Sequence, residues 1–120
     1  MSRANSWSID DELKKYLADI LVAIEEINQF IPPDTKDFHR FVNDLKTKRA
    51  VERNLEIIGE AVNRILKLRP EIQITSSKQI VGLRNVIIHA YDNLSYENIW
   101  GIVTRHIPLL KADVEKLLTE

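Results

Sequence analysis

The chain is predicted to be all-α, a single domain over residues 1–120 folded as an antiparallel bundle of four to five helices. Three observations lead there. With 3 Gly and 4 Pro in 120 residues, turn punctuation is sparse, which favours long helices over a many-stranded sheet. Apolar residues recur at spacings of three and four over long stretches, the period of a helix with one buried face. The breaks between those stretches are few and short, so neighbouring helices turn back on one another. A chain of this length can bury a core of its own.

The helices follow in order. Ser8, ahead of Asp10, Asp11 and Glu12, predicts a first helix start, with acids near the positive end of the dipole. Leu13, Leu17, Ile20, Leu21, Ile24 and Ile27 form its apolar stripe, and Pro32-Pro33-Asp34 ends it. A short second helix carries Phe38, Phe41, Val42 and Leu45 on one side. The third runs from about Thr47 to Leu68, with Val51, Leu55, Ile58, Val62, Ile65 and Leu66 as its stripe, and Pro70 stops it. Ser76 or Ser77 caps a fourth helix reaching about His89. Asp92-Asn93-Leu94-Ser95 signals a last start, near Ser95 and Asn98, for a helix ending near Leu118. Pro108 lies within it and predicts a kink or an irregular turn. Gly59 sits inside the third helix beside Ala61, at a cost of about 1 kcal/mol relative to Ala. Small residues there predict close approach of another helix, within the bundle or across a dimer. Trp7 and Trp100 read as core or interface residues.

Hydrophobic residues make up 44% and charged residues 29%, the balance of an ordinary globular protein. No apolar run reaches the length of a membrane span. The N-terminus lacks the apolar stretch of a secretory signal. The absence of Cys excludes disulfides and thiolate chemistry, and together these features predict a cytoplasmic protein. His39, His89 and His106 are far apart, with no His-x-x-x-His pair, so no metal site and no cofactor are expected. The net charge of -1 is unevenly spread: residues 36–53 carry 6 basic and 3 acidic groups, and residues 64–84 carry 5 and 1. Positive charge therefore gathers on the segments leading to Arg84. Two solvated helix faces would account for it, as would a local anion-binding strip.

The candidate site is Arg84-Asn85-Val86-Ile87-Ile88-His89-Ala90-Tyr91, four chemically capable side chains in eight residues of an otherwise apolar stretch. On a helix, Asn85 and His89 lie one turn apart on one face, and the long side chain of Arg84 can swing toward them. Tyr91 falls just past the helix end. RNA supplies its own nucleophile, the 2′-hydroxyl. Its cleavage needs a base, an acid and a cation for the crowded phosphate. His89 suits proton transfer near neutral pH. Arg84 suits phosphate binding through its fork of donors, and Asn85 suits positioning a phosphate oxygen. One histidine does not easily perform both proton transfers; a two-fold dimer would offer two. From spacing alone, a helix-end histidine that caps carbonyls and an arginine in an ion pair remain the commoner reading.

Arg84-Asn85-x-x-x-His89-x-Tyr91 resembles the Arg-x4-His-x-Tyr motif of HepT-like proteins, a branch of the HEPN superfamily. Arg49-Ala50-Val51-Glu52-Arg53-Asn54-Leu55-Glu56-Ile57-Ile58-Gly59-Glu60-Ala61 resembles that family's third-helix signature, and Val81-Gly82-Leu83 extends the match ahead of Arg84. Length and helix order agree over nearly the whole chain. The resemblance implies an α-helical homodimer with a composite cleft. It implies a metal-independent endoribonuclease, the toxin of a type VII toxin–antitoxin pair, acting on transfer RNA or messenger RNA. Arg84 and His89 would be catalytic, Asn85 the polar neighbour, and Tyr91 the acceptor of AMP from a minimal nucleotidyltransferase antitoxin of the MntA kind. The competing class is a non-catalytic helical module that binds RNA or the nucleotidyltransferase, with Tyr91 a packing residue.

Overall fold

The computed structural model describes residues 9–34, 37–89 and 95–120. Helix α1 spans Ile9–Phe30, α2 Phe38–Val42, α3 Leu45–Leu68 and α4 Ser77–Ile88. The last helix is continuous but not uniform: α5 (Tyr96–Gly101) passes through a π-helical turn (Ile102–His106) into α6 (Ile107–Leu118). Among the described residues there is no strand, so the all-α bundle is as expected. No helix among them is long and apolar enough to cross a membrane.

Helix α3 is the centre of the bundle. It packs along α1 on one flank and along α4 on another, while α6 closes against α1. The core is the set of stripes read from the sequence. Leu17, Ile20, Ile24 and Ile27 meet Val51, Leu55, Ile58, Val62 and Ile65, with Ile99, Ile107, Leu110 and Val114 from the last helix. Each such side chain contributes about 1.5–3 kcal/mol when withdrawn from water. Leu13, Leu21 and Leu66 pack only at the margin of this core.

Three local expectations need correction. First, α3 begins at Leu45 rather than Thr47, because Asp44 caps it. The Asp44 carboxylate accepts from the Thr47 backbone N–H at 3.2 Å and the Thr47 hydroxyl at 2.8 Å. Second, Leu45 therefore opens α3, 59% exposed, and leaves the apolar side of α2 to Phe38 and Phe41. Third, neither serine caps α4 through its side chain. Ser76 holds the cap position in the left-handed region, at φ 68, and its hydroxyl lies 2.5 Å from Nδ1 of His106. Beside it, the Thr75 N–H donates to Asp113 at 2.7 Å. This loop is thus fastened to the last helix. Ser95 does cap α5, accepting from Asn98 N–H at 3.1 Å. The expected Ser8 cap and Trp7 lie outside the described residues.

Pro108 has no N–H to give the Thr104 carbonyl, and its ring would crowd that oxygen. The helix widens just before it: Ile107 N–H reaches back five residues to the Ile102 carbonyl. The predicted irregularity is therefore a π turn. Trp100 packs at 5.8 Å from Phe38 and 5.3 Å from Phe41, ring centre to ring centre. Tyr96 donates to Glu52 at 2.7 Å and lies under the Lys48 ammonium at 4.6 Å. These contacts hold α5 to α2 and α3.

Gly59 settles its alternatives inside the bundle. A Cβ built there would lie 2.3 Å from Cβ and 2.8 Å from Cγ of Arg84, and 3.3 Å from the Ile80 carbonyl oxygen. These are the inner atoms of a side chain and a backbone atom, which cannot swing away. A glycine in mid-helix is normally improved by alanine, by about 1 kcal/mol. Here the sign reverses: Gly59→Ala should lower the unfolding free energy by about 1–3 kcal/mol through overpacking, read by chemical denaturation. Asp44→Ala should lower it by about 1 kcal/mol through the lost cap, with the helical circular dichroism of the folded protein retained.

Candidate active site

Arg84 lies on the third turn of α4, on the side that faces α3. Its stem enters the space left by Gly59, and its side chain is only 22% exposed. A long cation on a helix ordinarily extends into water; this one is led between two helices. Its guanidinium is held at both ends. Nη2 donates to Glu60 of α3, and Nη1 donates to Oδ1 of its neighbour Asn85 at 2.8 Å. Nε is buried with no hydrogen-bond partner among the described residues. Arg84 and Asn85 thus come together as the sequence predicts, with Asn85 exposed beside the arginine.

Glu60 is shared. Its other oxygen accepts from Nε of Arg64, one turn further along α3, at 2.9 Å. Its carboxyl is held below the usual range by the hydrogen bond from Arg64 and the positive charges of Arg84, Arg64 and Lys67, against a smaller opposing effect of burial. Glu60 is therefore ionised throughout the neutral range. The three side chains sum to one positive charge, so the cluster still attracts an anion.

Arg84 forms one wall of an open cleft of about 430 Å³. Tyr16 and Asp19 of α1 line it, with Arg53, Glu56, Ile57, Glu60 and Ala61 of α3. Its cations are Arg53 and Arg84, both from the basic segments noted in the sequence. The same cleft holds three carboxylates, so it is mixed rather than a uniformly positive strip. Asp19 is engaged by Lys15 at 3.0 Å.

His89 caps the C-terminal end of α4, with its N–H donating to the Asn85 carbonyl at 3.2 Å. It is exposed there and is not among the residues lining the Arg84 cleft. Tyr91 lies outside the described residues. Among the described residues, no group of three His, Cys, Asp or Glu side chains could hold a metal ion. Tyr16 is in no motif, and Arg53 and Glu60 stand in the third-helix signature without being read as part of the site. The pairing of Glu60 with Arg64 is legible as an (i, i+4) ion pair. Its contact with Arg84, 24 positions away, is not.

Comparisons with known proteins place the chain in a family. Residues 20–117 match the family described as ribonuclease HepT-like. A protein of Thermococcus cleftensis, provisionally named a ribonuclease HepT, is 41% identical over 110 residues, spanning 87% of this chain and 94% of the relative. Two proteins of Methanocaldococcus jannaschii, each provisionally named an RNase, are 34% and 37% identical over 110 and 107 residues. They cover 91% and 87% of this chain, and 93% and 94% of their own lengths. No solved structure matches. A helical bundle, a matched domain and relatives aligned over almost their full length lead to one conclusion: the chain belongs to the HepT-like ribonuclease family of HEPN proteins.

Proposed function

We propose that this protein is a metal-independent endoribonuclease and the toxin of a toxin–antitoxin pair. The observation that carries the reading is Arg84, a cation built into a cleft wall with its stem buried and its charge retained, in a chain of the HepT-like ribonuclease family. RNA is the substrate class that family membership supports.

The reaction follows from the chemistry of RNA. The 2′-oxygen loses its proton to a base and attacks the adjacent phosphorus. The bond to the 5′-oxygen breaks, and an acid protonates that leaving oxygen. The products are a 2′,3′-cyclic phosphate and a 5′-hydroxyl end. Arg84 stabilises the charge that gathers on the phosphoryl oxygens as the phosphorus becomes five-coordinate. Asn85, hydrogen-bonded to Arg84, orients a phosphoryl oxygen. His89, exposed at the end of α4, exchanges the protons. Its position at the helix end, off the Arg84 cleft of the same chain, suits a composite site in which two copies of the chain bring His89 and Arg84 together across a two-fold axis.

Regulation is the second part of the reading. A cognate minimal nucleotidyltransferase antitoxin transfers AMP from ATP to Tyr91: the phenol oxygen loses its proton and bonds to the α-phosphorus, and the bond to the departing pyrophosphate breaks. The added phosphodiester carries about one negative charge at neutral pH. Seven residues from Arg84, it would compete with RNA for the cation and repel the backbone.

The first test is cleavage of total RNA in EDTA. Wild type should cut and leave 5′-hydroxyl ends. Arg84→Ala and His89→Ala should each lose at least 100-fold in rate, the scale of a missing proton-transfer or charge-stabilising group. Wild-type rates from both variants would refute the assignment. In co-expression with the nucleotidyltransferase, Tyr91→Phe should stay toxic and gain no AMP by intact mass. Neutralisation of Tyr91→Phe equal to wild type would remove Tyr91 from the scheme.

A further inference from the structure

Arg84 is oriented by α3, a helix distant in sequence, and the manner of its holding carries an inference that rests on the ribonuclease reading. We propose that Gly59-Glu60 forms a seat for Arg84, in which Glu60 is a positioning residue for cleavage and Arg64 keeps the seat positively charged.

Four observations converge. Gly59 has no side chain where Cβ and Cγ of Arg84 pass, so the stem is confined by packing. Glu60, the next residue, takes the head through Nη2. Asn85 takes the other terminal nitrogen at 2.8 Å. Nε is left buried without a partner among the described residues, an unfavourable state that free rotation into water would relieve. The arginine is therefore held in an orientation it would not adopt by solvation alone. Its ion pair with Glu60 is partly exposed, 22% and 38% for the two side chains, and pairs of that kind contribute little to stability. What the contact provides is direction. The two terminal nitrogens each keep one N–H beyond those used, and these are the donors available to a phosphoryl group.

The role of Arg64 follows from charge balance. A lone Glu60–Arg84 pair would be neutral and would hold its arginine away from an anion. Arg64 binds the second carboxylate oxygen at 2.9 Å, and Lys67 lies close enough to act on the same carboxylate. Glu60 can then orient Arg84 without cancelling it.

Two measurements on the purified protein, with matched melting temperatures as a control, test the seat. The first is steady-state cleavage of a mixed-sequence single-stranded RNA oligomer in EDTA. Glu60→Gln should lower kcat by about 10- to 100-fold, the range seen when a partner that orients a functional group is removed, while KM stays within about twofold. Glu60→Asp should recover part of the loss. Arg64→Ala should chiefly raise KM. Wild-type or faster turnover by Glu60→Gln would overturn the proposal and make Glu60 an inhibitory latch. The second measurement does not depend on turnover: nitrogen-15 NMR of the Arg84 guanidinium. Wild type should give distinct, slowly exchanging Nη signals, and Glu60→Gln should merge them. Merged signals in wild type would overturn the seat itself. Distinct signals from a wild-type protein that cuts no RNA would overturn the ribonuclease reading, and with it the catalytic purpose of the seat.

Discussion

The closeness of α3 and α4 at Gly59 is the constraint on which the candidate site depends. Helices that meet through ordinary side chains stand 8–10 Å apart. At this crossing one helix offers only a hydrogen, and the other answers with the stem of Arg84. That exchange costs α3 some intrinsic helix stability. It also places the one permanent cation of the motif against a carboxylate rather than in open water. Cleft wall, ion pair and buried Nε all follow from the same local approach.

Charge is organised around that point on a scale the net value hides. The chain as a whole carries -1, yet Arg64, Glu60 and Arg84 together carry +1, with Arg53 on the same cleft. Asp19, Glu56 and Glu60 share the space, so the field is short-ranged. Attraction for a polyanion is then confined to the cleft mouth and weakened by salt.

The rest of the fold supports the end of α4 that leads into the motif. The loop before it is fastened to the last helix by Ser76 with His106 and by Thr75 with Asp113. The π turn lies immediately before the proline that cannot continue an α-helical ladder. On the other side of the motif, Ser95 restarts the chain as α5, and the aromatic contacts of Phe41, Tyr96 and Trp100 hold that restart to α2 and α3.

By itself the sequence determined the helices, their apolar faces and the place of the irregular turn. These depend on residues three to five positions apart, which a linear reading sees directly. The stripes on α1 and α3 are buried nearly as written, and Pro32, Pro70 and Pro108 act where they stand. The motif was legible as a cluster, and Arg84 with Asn85 came together because they are neighbours. Cap chemistry was harder to read, since Asp44, Ser76 and Ser77 all carry capping side chains and competing partners decided which capped. Only the tertiary structure decided that Gly59 faces Arg84, that Glu60 holds it, and that Tyr16 and Arg53 share its cleft. Those contacts join residues 24 or more positions apart on α1, α3 and α4, and their existence depends on how far one helix turns about another, which no local spacing records.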